Sequence, residues 1–279
     1  MRSVLVLVTA VMLPAVAPVG CKRHEDGAAR AHVPLPAGGA AVEEPDAGSA
    51  DAGAGAGAGA GGGTGASLVE DARRYDVRTW SFALDRYEMR VVDAGMSTAL
   101  DAVLARSDAE LVVNGGFFDP QGKPVGLVVS EGAVVSRLAP ALSGGVVTWD
   151  GERAKLWESE SFAMPDGARF AVQCRPRLVV DGAPNVKSDD GHRSERTALC
   201  LRDGGKAIDV VIVKGSSLES PGPSLFALGR YLAQRGCEGA LNLDGGPSTG
   251  VAWRENGEVR MLAPARPVRH AVSFRRRGA

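Results

Sequence analysis

Ala240-Leu241-Asn242-Leu243-Asp244-Gly245-Gly246-Pro247-Ser248-Thr249-Gly250 opens as a short apolar run and breaks into an acid, a glycine pair and a polar tail. The same device stands earlier in the chain, where Leu111-Val112-Val113-Asn114 runs into Gly115-Gly116-Phe117-Phe118-Asp119. Paired glycines after a buried strand let the backbone turn sharply and bring its N–H groups close to a ligand, with no Cβ in the way. Asn and Asp beside them can point side chains into a cleft at the sheet edge. Either motif alone reads first as a tight turn. Two of them, at the ends of similar units, point to a shared site.

The units are similar because each strand is preceded by a helical pattern. Residues 98–107 open with Thr98 and Asp101 in capping-box-like spacing and carry Leu100, Val103 and Leu104 on one side. Residues 223–235 start with Pro223 at a permitted first-turn position, present Leu225, Leu228 and Leu232, and stop at Gly236. Around these two helices the chain is short β-rich runs separated by Gly, Asp and Pro. Strands are expected over 80–84, 88–92, 110–114, 126–129, 146–149, 170–174, 177–180, 197–201, 208–213, 240–243 and 268–274. The expected class is α/β (α+β), a single domain with a mixed-sheet core and few helices, over residues 67–279.

The residues before it have a different texture. Arg2, an apolar stretch over 4–13 and small residues up to Gly20 read as a secretory signal peptide over residues 1–20, too short to span a bilayer as a helix. Val19-Gly20-Cys21 is similar to a lipobox, which makes Cys21 the expected acylated first residue and a membrane a partner through that anchor. Residues 22–66 are Ala, Gly, Pro and acid, with unbroken Ala-Gly alternation over 52–62. Nothing there is large enough to bury, so a disordered tether is expected. The expected location is therefore the cell envelope.

Lys and Arg number 32 against 33 Asp and Glu, a net charge of −1, which argues against a nucleic-acid binder that neutralises phosphates with clustered cations. Within the domain only His192 and His270 are available, with no His-x-x-x-His or Cys-x-x-Cys spacing, so no metal and no other cofactor is expected. Beyond Cys21 the chain holds Cys174, Cys200 and Cys237. An oxidising compartment predicts one bridge and one buried thiol, with Cys174 and Cys200 the expected pair because both lie in expected strands.

Several ordered pieces resemble the phosphodiester glycosidase family. They are residues 114–119 followed by 124–129 and Glu131-Gly132, then 176–182, Arg196-Thr197-Ala198, Ser220 and Gly222 ahead of the second helix, and 240–248. The resemblance spans about residues 80–274 and implies a hydrolase that cleaves a sugar from a glycosyl phosphodiester or related glycoside. Three positions depart from the family's pattern: Glu195 stands where Pro is usual, Cys200 where Gly is common, and Lys214-Gly215 where Asp-Gly is usual. The Lys214 change puts a positive charge beside the expected cleft.

The chemistry narrows the roles. Expelling a phosphate monoester from an anomeric carbon needs charge stabilisation of the leaving group, which suits the fixed guanidinium donors of Arg196. It also needs a carboxylate facing an oxocarbenium-like centre. Asp244 is the first candidate and Asp119 the second. Asn114, Gly115, Gly116, Phe117, Gly245, Gly246, Ser248, Lys214 and Ser220 are expected to line the substrate site, Gly245 and Gly246 through their N–H groups and Phe117 or Phe118 by stacking on a sugar face. The competing classes are a phosphodiesterase that breaks P–O, which normally wants a His/Asp metal cluster, and a non-catalytic glycan-binding envelope lipoprotein.

Overall fold

The computed structural model describes residues 63–217 and 221–278. The signal peptide, Cys21 and the tether up to residue 62 lie outside the described residues, as does Ser220. The described residues begin with β1 (Thr64–Glu70), β2 (Arg73–Ala83), β3 (Tyr87–Ser97), α1 (Leu100–Arg106) and β4 (Leu111–Asn114). It continues with β5 (Val128–Ser130), β6 (Ala133–Ser136), β7 (Gly145–Trp149), β8 (Ala154–Glu158), β9 (Phe170–Cys174), β10 (Arg177–Val180) and β11 (Ala183–Pro184). The last part holds β12 (Arg196–Arg202), β13 (Ala207–Val213), α2 (Leu225–Gln234), β14 (Gly239–Asn242), β15 (Val251–Glu255), β16 (Glu258–Leu262) and β17 (Val268–Arg276).

The strands form three sheets, ordered β1-β2-β13-β12-β14-β10-β11, β16-β15-β4-β17-β3 and β6-β5-β9-β7-β8. The class is α+β with few helices. Each helix-to-strand unit inserts its strand between two neighbours that run the other way, β4 between β15 and β17 and β14 between β12 and β10. One core joins all three sheets, with Trp80 and Phe82 of β2, Leu199 and Leu201 of β12, Val113 of β4, Phe274 of β17 and Phe170 of β9 among its residues. The helices close the outer faces. On the first sheet Ala198, Cys200 and Val211 pack with Leu228 and Leu232 of α2. On the second, Val112, Ala252 and Ala271 pack with Leu100, Val103 and Leu104 of α1. Burial on both faces is why β4, β12, β13 and β14 read as apolar runs without alternation.

Elements exposed on one side escape that reading. β6 and β16 are edge strands with mostly exposed side chains, so only backbone pairing defines them. β1 begins at Thr64, three residues before the composition break, because Thr64, Gly65 and Ala66 pair by backbone with Thr79, Arg78 and Val77. The first helix starts later than its expected cap. Its N-cap is Ala99, without a side-chain bond, and the Ser97 hydroxyl accepts the Ala99 N–H at 3.0 Å. In α2 the N-cap is Ser224, whose hydroxyl accepts the Ala227 N–H at 3.0 Å, with Pro223 just outside.

The disulfide expectation is corrected. Cys200 pairs with Cys237, at a Cα–Cα distance of 5.5 Å, and Cys174 is the buried free thiol. Strand alternation explains it: Cys200 points to the α2 face, where the chain arrives at Cys237 just after the helix, whereas Cys174 lies in the shared core on the other side. Closing a 37-residue separation restricts the unfolded chain by about 4 kcal/mol in the chain-entropy treatment.

Candidate active site

The two glycine motifs leave different sheets and meet. Asn114, at the end of β4, is fully buried. Its Oδ1 accepts the Thr197 hydroxyl at 2.7 Å and the Gly250 N–H at 3.2 Å, and its Nδ2 donates to the Asp244 carbonyl at 2.7 Å. In return the Asp244 N–H donates to the Gly115 carbonyl at 3.1 Å, and the Asn114 N–H to the Gly250 carbonyl at 3.1 Å. One side chain from the second sheet thus gathers the backbone of residues 244–250 and the side chain of Thr197 from the first sheet.

The Asp244 carboxylate is left with light, neutral company. It accepts the Gly245 N–H at 2.9 Å and the Ser248 hydroxyl. Burial pushes its pKa above the ordinary carboxylate value, and these two donors offset the rise only in part. Among the described residues no cation pairs with it.

The glycines serve close packing. A Cβ on Gly115 would lie 2.5 Å from the His270 ring, and one on Gly245 2.8 Å from the Glu195 carbonyl oxygen. Their N–H groups already have protein acceptors. Gly115 donates to His270 O at 3.0 Å, Gly116 to His270 Nε2 at 3.1 Å, and Gly246 to Glu195 O at 2.8 Å. The expectation that the Gly245 and Gly246 N–H groups hold substrate oxygens is therefore revised: in this structure both are committed within the protein.

Arg196 and Thr197 are neighbours on β12 and point to opposite faces. Arg196 goes to the α2 side, where Nε donates to Pro223 O at 3.0 Å and an Nη to His192 O at 3.1 Å. It is 6% exposed, and among the described residues no carboxylate pairs with it. Burial lowers its pKa. A buried guanidinium bonded to carbonyls keeps spare donors, while the Asp190 and Glu70 carboxylates offset part of its charge from a distance.

Lys214 and Glu195, two of the departures from the family pattern, pair with each other: Nζ lies 2.5 Å from Glu195 Oε2 and 3.1 Å from the Thr249 carbonyl oxygen. Asp119 stands apart in its own turn, where Oδ1 accepts the N–H groups of Gln121 at 3.0 Å and Lys123 at 2.8 Å. Phe117 is half-buried against the shared core, and Phe118 is half-buried and bridges to Pro124. Sequence reasoning passed over Thr197 and His270. His270 is 5% exposed, its Nε2 accepts the Gly116 N–H, and burial lowers its pKa to about 4. The signal for His270 was its place on β17 in alternation with Val268, Val272 and Phe274, a pattern unrelated to metal-ligand spacing.

Among the described residues, one group of acids lies close enough together to hold a cation. The group Glu70, Asp71 and Asp189 already surrounds the Arg193 guanidinium, with Nη2 at 3.3, 3.0 and 2.7 Å from the three carboxylates.

The two glycine loops thus interlock around a half-buried carboxylate of raised pKa. The phosphodiester glycosidase family model matches residues 107–275, and the chain belongs to that family. No curated protein matches it. Several solved structures share the fold, among them the following two. A hypothetical protein from Synechocystis aligns with a TM-score of 0.58 at 16% identity, over 75% of this chain and 61% of its own. The zebrafish N-acetylglucosamine-1-phosphodiester alpha-N-acetylglucosaminidase catalytic domain, auto-inhibited by its pro-peptide, aligns with a TM-score of 0.58 at 16% identity, over 77% of this chain and 82% of that one. The chain therefore spans less than two thirds of the Synechocystis protein.

Proposed function

We propose that the protein hydrolyses a glycosyl phosphodiester or a related glycoside at the sugar's anomeric C–O bond. The observation that carries this reading is Asp244: its backbone is fixed on both sides by the Asn114 loop, while its carboxylate meets only two neutral local donors. A carboxylate so placed acts on the anomeric carbon as nucleophile or as base for water. Overall, the oxygen of water becomes the anomeric hydroxyl, the C–O electron pair leaves with the phosphate monoester, and the water proton passes to the base. Family membership supports the reaction class. Arg196 supports a phosphate-bearing substrate through its chemistry: its guanidinium is bonded to two carbonyl oxygens and keeps further donors that suit a phosphate. Asn114, with every polar atom in use, is a positioning residue.

The cell-envelope setting belongs to the same proposal, supported by the signal-like residues 1–20 and the lipobox-like Val19-Gly20-Cys21. Mass spectrometry of the native protein is expected to find an acylated Cys21 at the amino terminus; an unmodified terminus removes the anchor. For the reaction, a panel of glycosyl-phosphate model substrates is to be hydrolysed in ¹⁸O-labelled water. Label on the anomeric hydroxyl is expected. Label on phosphate assigns a phosphodiesterase, and binding without turnover across the panel assigns a glycan-binding protein.

A further inference from the structure

We infer that the Glu195–Lys214 pair is the clamp that holds the Asp244 turn, and that both are positioning residues for that carboxylate. The inference rests on the reading of Asp244 as the reacting group. The turn runs from Asp244 through Gly245, Gly246 and Ser248 to Thr249. It is tied to Glu195 and Lys214 at both ends. On the near side, the Gly246 N–H donates to the Glu195 carbonyl at 2.8 Å, and the close approach of Gly245 to that same oxygen leaves no room for a Cβ. On the far side, Lys214 Nζ donates to the Thr249 carbonyl at 3.1 Å. The carboxylate of Glu195 then joins the two anchors, accepting from Lys214 Nζ at 2.5 Å and from the Gly215 N–H at 3.3 Å.

Strand register places the pair. Arg196 and Val213 are the last partners of the β12–β13 ladder, so Glu195 and Lys214 stand directly beyond it, where the backbone leaves the sheet. Between the anchors, the Gly245 N–H and Ser248 hydroxyl are what Asp244 itself touches. Releasing the far anchor lets Ser248 and Thr249 drift and misdirects the carboxylate without removing any group that meets substrate. The positive charge of Lys214 is thereby neutralised locally, one donor going to the Glu195 carboxylate and another to the Thr249 backbone.

The two features of Lys214, its charge and its bond to a carbonyl, separate by substitution. Lys214→Met should lower kcat by roughly 10- to 100-fold, the scale of a small misplacement of reacting groups, with KM little changed. Lys214→Arg retains a donor for Thr249 and should recover most of the loss. The exchange Glu195→Lys with Lys214→Glu restores an ion pair but sets a carboxylate against the Thr249 carbonyl, so it should stay impaired. Lys214→Met combined with Glu195→Gln leaves no unpaired charge and keeps the test valid if the single variant folds poorly; it too should show low kcat with normal KM. Recovery in the exchanged variant, or unchanged kcat in the double variant, overturns the clamp. Asp244→Asn, measured alongside, separates the two ideas: if it retains turnover, the reading of Asp244 has failed instead.

Discussion

At the end of β4 the chain uses Asn114 as a fastener, whereas at the end of β14 the equivalent stretch leaves Asp244 half-free. Both loops carry a glycine pair packed against foreign backbone or ring atoms. In the first, the side-chain amide bonds Thr197, Gly250 and Asp244, and the acid at the loop's far end caps its own turn. In the second, the acid's backbone is gripped while its carboxylate stays in a partly desolvated place that raises its pKa. Duplicated local sequence thus gives one template and one working group. The difference lies in which atoms of each loop the protein consumes.

Asp244→Asn tests that division most sharply. Turnover should fall by several orders of magnitude, because the substitution removes the charge and nearly preserves shape. Stability should move the other way. The folded pKa of Asp244 lies above its unfolded value. Stability linked to this group is therefore present below the unfolded pKa and lost as pH rises through the folded one. At neutral pH the ionised group is a net cost, so Asp244→Asn should raise Tm there and have no such effect in acid. Equal turnover in wild type and variant would dissolve the contrast between the loops.

Asn114→Asp attacks the template. Oδ1 remains, but an acceptor replaces the donor that sits 2.7 Å from the Asp244 carbonyl, and a charge enters a fully buried position. A loss on the order of 3–5 kcal/mol is expected at neutral pH, read from urea unfolding. A stability unchanged from wild type would show that the loops dock without this side chain.

His270 sharpens the comparison from below, since it seats the first loop by accepting the Gly116 N–H. Burial holds its pKa near 4 against an ordinary 6.5. The neutral form is favoured in the fold, so stability is full above the unfolded value and falls as pH drops from 6.5 toward 4. The expected loss is roughly 3 kcal/mol across that window. In His270→Gln the amide oxygen can still accept from Gly116 but does not titrate, and the acid slope should flatten. A slope of equal size in this variant would place the acid sensitivity elsewhere.

Much of this was legible in the residues. The runs ending at Val113 and Leu241 are apolar because β4 and β14 are covered on both faces, and that pattern marks them in the sequence. The leucine spacing of residues 225–232 likewise marks α2. Other features depend on facts that spacing does not carry. β6 and β16 are edges whose exposed side chains lack periodicity. The Cys200–Cys237 bridge needs to be read from the face on which Cys200 lies, not merely from its presence in a strand. Arg196 and Thr197 differ by one position, hence by a whole sheet face, and only the structure shows Thr197 bonded to Asn114 and Arg196 to the segment ahead of α2. The two charged departures, Glu195 and Lys214, look unrelated in a linear chain because 19 residues separate them.

The smallest effect is expected at Asp119, the other acid of the first loop. Its Oδ1 accepts two N–H groups from Gln121 and Lys123, its own N–H donates to Lys123 O at 2.9 Å, and its carbonyl accepts the Gly122 N–H at 2.8 Å. These bonds are all local and close a turn, the usual occupation of an Asp at the start of one. Asn keeps the accepting oxygen and tolerates the same backbone, so Asp119→Asn should alter stability by about 0.5 kcal/mol or less and leave turnover within about twofold. Steady-state kinetics on purified protein, with unfolding curves in parallel, measures both. A tenfold loss of turnover with unchanged unfolding would give the first loop a reacting carboxylate of its own. The molecule would then hold two working acids, one on each loop, and the division between template and working group would fail.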